Sequence, residues 1–268
     1  MTLLEMENLS VGFRRYQGFL RQEVTECVHN ISLAVQRRQI LGLLGASGAG
    51  KSLIAHAILG ILPPNAVTSG SLKFEGALID ESSRRFLRGK RIALIPQSIS
   101  HLDPLAKVGR QIRWAARRSG KADLTNQQIE EGLDRFGLPP EVARMLPSQL
   151  SGGMARRVML TMASISDADL IIADEPTNGL DPDNSQKVFQ YLRAFAQLGK
   201  GVIVITHDLA AIITIADGIA IMKDGHLISR EKAADFIHDG AGLASSYAQA
   251  LWKALPQNSF APETLTYA

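Results

Sequence analysis

Residues 39–52 read QILGLLGASGAGKS. The run Ile40–Leu44 is almost continuously apolar and stops at Gly45, the pattern of a strand buried on both faces. Gly45–Ser52 then matches G-x-x-x-x-G-K-[ST], and a helix-like stretch follows from Lys51. Each residue type has a reason. Gly45, Gly48 and Gly50 let the backbone curl around Ala46, Ser47 and Ala49 with its N–H groups turned inward, a cradle for phosphate oxygens. The helix adds the positive end of its dipole, Lys51 a mobile cation, and the Ser52 hydroxyl a ligand for Mg²⁺. The stretch predicts strand, phosphate loop and helix in that order.

Working outward, RIALIP (91–96), LIIAD (170–174) and GVIVIT (201–206) are further short apolar runs. The last two are separated by the helical pattern SQKVFQYLRAFAQL. Buried strands alternating with helices predict an α/β fold with a mainly parallel sheet. ISLAVQ (31–36) alternates like a half-buried strand, and IAIMKDGHLI reads as a hairpin turning at Lys-Asp-Gly. Between Pro104 and Gln149 strand runs disappear, and VGRQIRWAARRS and TNQQIEEGLDRFGL are helical in pattern. The expected organisation is a core at 1–97 and 158–240, an inserted helical subdomain at 98–157 and a C-terminal extension at 241–268.

Composition narrows the function classes. The chain has 268 residues, 46% of them hydrophobic, a net charge of +3 and one cysteine, Cys27. That charge is small for the length and gives nucleic acid little support. A single cysteine forms no internal disulfide or Cys-rich metal site and fits a reducing compartment. The opening MTLLEMENLS lacks the basic segment and long apolar run of a secretory leader. The window at 201–222 is apolar but interrupted by His207, Asp208 and Asp217, so strand-helix-strand is expected rather than a membrane span. The basic cluster Arg110, Arg113, Arg117, Arg118 reads as the solvated face of an amphipathic helix.

LIIADEP sets Asp174 at the end of an apolar strand, where its carboxylate can orient Mg²⁺, with Glu175 next to it. Glu175 is either a second metal contact or the group that polarises an attacking water. VITHD puts His207 at another strand end, and strand ends of one parallel sheet converge on one crevice. LSGGMARR (150–157) opens a helix with Ser151, Gly152 and Gly153, a second anion-binding pattern.

The order GASGAGKS, IPQ with Gln97, LSGGMARR, LIIADEP, GLDP and ITHD resembles the ATP-binding subunit of an ABC transporter, over about residues 3 to 257. The resemblance implies an ATP hydrolase with an N-terminal antiparallel β subdomain beside the parallel core and the helical insertion. By position it implies Gln97 as an Mg²⁺-sensing link to the helical subdomain, with Ser52 and Asp174 as the other Mg²⁺ residues. Glu175 becomes the general base, His207 the switch histidine, and Asp181 the residue that communicates across a dimer. Phe13 corresponds to an aromatic that stacks on adenine, with Tyr16 as runner-up and a core phenylalanine as the plain alternative. Ser151, Gly152 and Gly153 would cover ATP held by the phosphate loop of a second ATPase subunit, identical or related.

The further partners implied are two transmembrane permeases and an extracytoplasmic solute-binding protein, at the cytoplasmic face of a bacterial inner membrane, with no nucleic acid. SGGM…RRVML, DPLAKVGRQI and YAQALWKALP are similar to the peptide and nickel importer branch. Arg156 stands where that branch usually has Gln, and NGLD replaces a commoner Thr/Ser-Ala-Leu-Asp. The absence of a C-terminal cysteine cluster and the short extension tilt the expectation toward nickel or metal-chelate import. The rival readings are a soluble relative acting on nucleic acid or ribosomes, and a regulatory nucleotide-binding module that does not hydrolyse.

Overall fold

The computed structural model describes residues 1–17, 21–121, 123–237, 240, 242–255 and 258; His238 lies outside the described residues. Two long strands open the chain, β1 (Thr2–Gln17) and β2 (Arg21–Gln36), followed by β3 (Ile40–Gly45) and helix α1 (Lys51–Leu59). Next come β4 (Ala66–Phe74), β5 (Ala77–Leu78), α2 (Glu81–Leu87) and β6 (Ile92–Ile95). Helices α3 (Val108–Arg118), α4 (Asn126–Asp134) and α5 (Gly152–Ser166) follow, with short 3-10 turns between them. The core then resumes with β7 (Leu170–Asp174), α6 (Pro182–Gln197), β8 (Gly201–Thr206), α7 (Leu209–Ile212), β9 (Gly218–Lys223) and β10 (His226–Lys232). Helices α8 (Ala233–Ile237) and α9 (Ser246–Lys253) end the described chain.

The strands form a four-stranded sheet, β2-β1-β4-β5, and a six-stranded sheet, β10-β9-β3-β8-β7-β6. The first is antiparallel throughout. In the second, β6, β7, β8, β3 and β9 run parallel, and β10 returns antiparallel through a hairpin. Its turn residues Asp224 and Gly225 have φ of 48° and 78°, the left-handed pair that a tight hairpin requires.

The apolar runs are continuous because both faces of the parallel sheet are covered. Ile171 and Ala173 of β7 and Val202 and Val204 of β8 join the core under α3–α6. Their neighbours Leu170, Ile172, Ile203 and Ile205 face the other way, into a core shared with α1 and the antiparallel sheet. Alternation is therefore present, but both alternating sets are apolar. Each such valine, leucine or isoleucine contributes about 1.5–3 kcal/mol of burial.

ISLAVQ proves to be only the end of β2, and most of β1 and β2 carried no strand signal in the sequence. The stretch 98–157 holds helices and 3-10 turns, but α5 runs on to Ser166, so a division at 157/158 falls within one helix. The basic cluster is largely engaged internally. Arg113 donates to Leu124 O at 3.2 Å, Arg117 pairs with Asp123, and Arg118 donates to Arg88 O and Arg85 O at 3.2 Å. Among the described residues, no helix is long and apolar enough to cross a membrane.

Candidate functional site

The phosphate-loop stretch joins β3 to α1, and two of its glycines leave no room for a side chain. A Cβ on Gly45 would lie 2.5 Å from Met222 O on the neighbouring strand. Gly50 has φ of 91°, and a Cβ there would meet Val28 Cγ2 at 2.8 Å. Lys51 is 5% exposed, and its Nζ donates to Gly45 O at 2.7 Å and Ala46 O at 2.9 Å. Two of the three ammonium donors thus brace the loop, and the third remains for the cavity the residue lines. Burial pushes the Lys51 pKa down, opposed by the charges of Glu175 and Asp174.

Register brings the other strand ends to the loop. Asp174 pairs with Ile205, and Leu44 pairs with Thr206, so the C-terminal ends of β7, β8 and β3 lie side by side. Asp174 is 6% exposed, and burial pushes its carboxyl up from the ordinary value, against the Ser52 hydroxyl hydrogen bond. Its Oδ1 is buried without a hydrogen-bond partner among the described residues. Glu175 adopts φ of 45°, a left-handed conformation uncommon outside glycine, while its N–H donates to Ile205 O at 2.9 Å. That bend carries its carboxylate to His207, with Oε1 2.9 Å from Nδ1.

These groups share one cavity of about 530 Å³. Ala46, Ser47, Gly48, Gly50, Lys51 and Ser52 line it together with Gln97, Glu175 and His207. Ala49 is buried beneath the loop, and Gly45 contributes through its carbonyl. Asn178 also lines the cavity and had no role in the sequence reading; its only signal was its place in a turn just past the carboxylates. His56, given no role from sequence, is close enough for its charge to lower the Asp174 pKa.

Other expected site residues lie elsewhere. Phe13 sits on β1, partly buried against the core that includes Val11, Val28 and Ala49, and is not among the cavity-lining residues. The side chain of Tyr16 lies outside the described residues. Ser151 caps α5, its Oγ accepting from Met154 N at 3.2 Å, and Ser151 and Gly152 are exposed. None of Ser151, Gly152 and Gly153 lines the Lys51 cavity. Asp181 caps α6, accepting from Asn184 N at 2.9 Å and Asn184 Nδ2 at 2.6 Å, and these hydrogen bonds lower its pKa. The two caps are neighbours, since a Cβ on Gly153 would lie 3.5 Å from Asn184 Cγ.

The Ser52 hydroxyl, the Asp174 carboxylate and the Gln97 side chain offer only hard oxygen donors, and Asp174 Oδ1 lacks a partner. That set fits Mg²⁺ with part of its water shell. Among the described residues, no cluster of three or more His, Cys, Asp or Glu is arranged to hold a metal ion.

A family profile described as ABC transporter matches residues 28–178. The ABC transporter ATP-binding protein YejF of Escherichia coli is 34% identical over 97% of this chain, which spans 50% of that protein's length. The dipeptide transport ATP-binding protein of the same organism is 34% identical over 96% of this chain and 79% of its own. Among solved structures, a dimeric bacterial ABC transporter cassette superposes with a TM-score of 0.74 at 24% identity, over 86% of this chain and 99% of that one. A profile match over more than half of its length, with relatives of this identity and coverage, makes the chain a member of the ATP-binding family of ABC transporters.

Proposed function

We propose that the chain is an ATPase subunit that powers solute import through a membrane ABC transporter. The observation that carries this reading is the convergence of Lys51, Gln97, Glu175 and His207 on one cavity, with the buried Asp174 bonded to its lining residue Ser52. The loop N–H groups and Lys51 hold the phosphates of ATP. Ser52, Asp174 and Gln97 would hold Mg²⁺, which when bound neutralises charge on the phosphate oxygens. Glu175 takes a proton from water as the water oxygen attacks the γ-phosphorus. The bond from that phosphorus to the bridging oxygen breaks, and ADP leaves with the electron pair. His207, held by Glu175 at 2.9 Å, faces the charge that develops on the transferred group.

Ser151, Gly152 and Gly153 are exposed or half-exposed at a helix N-terminus away from this cavity, which supports their action on ATP held by a second subunit. Asp181, beside them, would carry contacts across that dimer. Phe13 is retained only as a neighbour of the adenine side. The further partners proposed are two permeases and an extracytoplasmic solute-binding protein, with the ATPase pair on the cytoplasmic face of a bacterial inner membrane.

For cargo we adopt a peptide, the class named by the dipeptide relative. The tilt toward nickel or metal chelates rests on the missing C-terminal cysteine cluster and the short extension, and gains no support from the relatives above. A non-hydrolysing regulatory module would have no use for the Glu175–His207 pair, which favours hydrolysis.

The deciding experiment measures MgATP hydrolysis by the full-length chain and uptake of a labelled dipeptide in a deletion strain. Hydrolysis together with lost dipeptide uptake supports the reading. Absent hydrolysis overturns the ATPase function, and unchanged dipeptide uptake with lost nickel uptake overturns the cargo.

A further inference from the structure

Arg156 is the one strongly buried charge of α5, 3% exposed, and nothing in the hydrolytic scheme uses it. Its guanidinium forks onto two consecutive carbonyls. One Nη donates to Pro96 O, and Nη2 donates to Gln97 O at 2.8 Å. Strand β6 ends at Ile95, so these are the first two carbonyls past the strand's end, and a side chain rather than a strand partner takes them. Gln97 then presents its own side chain to the ATP cavity. Arg156 is thus bonded to the main chain that carries a cavity residue, from a helix that starts at the exposed Ser151 and Gly152.

Stability alone is a poor reason for this arrangement. A guanidinium buried with its Nε unpartnered among the described residues is unfavourable relative to a packed apolar side chain. What the fork does supply is geometry. A planar guanidinium holds two acceptors at a fixed mutual angle, which a lysine, with one nitrogen, does not. An α-helix is stiff over the short rise of about 1.5 Å per residue that separates Arg156 from Ser151. We propose that Arg156 is a positioning residue that locks the Pro96–Gln97 main chain to α5, so that Gln97 in one ATP cavity moves together with the helix end that covers the ATP of the second subunit. The inference rests on the ATPase reading above and adds a residue through which the two sites of the dimer are mechanically tied.

The test uses the full-length chain with MgATP, rates being expressed per nucleotide site titrated on the same sample, so misfolded protein does not enter. Arg156→Lys keeps the charge and loses the fork. It is expected to lower kcat about tenfold with KM for ATP within about twofold. In a Gln97→Ala background the same change should lower kcat less than about twofold, because the residue it acts through is gone. Arg156→Met, which carries no donor, serves the same comparison if the lysine variant does not fold. An unchanged kcat in the single variant, or an equal factor in both backgrounds, overturns the proposal. A wild-type chain without hydrolysis overturns the ATPase reading itself, and this proposal with it.

Discussion

The carboxylate of Glu175 and the imidazole of His207 meet at 2.9 Å across the ends of two adjacent parallel strands. The left-handed backbone of Glu175 aims the side chain there, a strained conformation of the kind that functional sites retain. Glu175→Gln is expected to lower kcat about 10²–10⁴-fold while ATP binding persists. His207→Ala should lower kcat about a hundredfold or more, again with binding little changed. Steady-state hydrolysis paired with equilibrium nucleotide binding checks both. Normal turnover in Glu175→Gln removes that residue from the role.

Ser151 and Lys51 belong to different surfaces of the same chain. If the Ser151 end covers ATP on a second subunit, a mixed dimer of Ser151→Arg with Lys51→Ala has a predictable outcome. The Ser151 variant disables the site of its neighbour, whose own loop is already disabled by Lys51→Ala. One intact composite site remains, and about half the wild-type rate is expected if the sites act independently. A mixed dimer in which both sites are dead shows that the damage of each change stays within its own subunit.

Asp80 caps α2, and its carboxylate accepts from the Ser83 hydroxyl, the Ser83 N–H and the Ser82 hydroxyl. Those hydrogen bonds, Ser83 first, lower its pKa from 3.8 to about 2. A pKa lower in the folded chain means that the stabilising contribution is complete above 3.8 and is lost as pH falls toward 2. Asp80→Ala should therefore lower Tm by about 2–4 °C at neutral pH. The difference should shrink on acidification. A carboxyl titration by NMR with its midpoint near the ordinary aspartate value would contradict this.

Arg37 and Arg91 each bond both Glu75 and Asp169, closing a ring of four charges. The ring ties the end of β4 in the antiparallel sheet to the residue before β7 in the parallel one. The two guanidiniums hold the Glu75 carboxyl below its usual range; at Asp169 burial acts upward and the two arginines outweigh it. The four side chains are 22–38% exposed, so Asp169→Asn is expected to cost only about 1 kcal/mol. A thermal melt should show a drop of about 2–4 °C at low salt. The drop should be smaller in about 1 M salt, where the Debye length is near 3 Å.

Local chemistry explains which parts were legible from residues alone. Gly45–Ser52, Asp174–Glu175 and His207 follow apolar strands directly, and each motif contains its own reason in a few consecutive residues. The strands β1 and β2 did not stand out because register shifts between Met6 and Leu9, and again between Leu9 and Val11, break the two-residue period. The roles of Asn178 and Arg156 could not be read locally, from a turn position and a departure from Gln, since they come from what lies across space rather than along the chain.

By itself the sequence determined the phosphate-loop pattern, the order of buried strands and helices and the side chains proposed to react. These follow from backbone freedom at glycine, from apolar runs and from the chemistry of single side chains. The tertiary structure alone decided that Glu175 reaches His207, that Phe13 packs against the core without lining the cavity, and that Arg156 holds the main chain of Gln97. Those outcomes depend on strand order and register, which bring together residues far apart in the chain, and no local pattern encodes them.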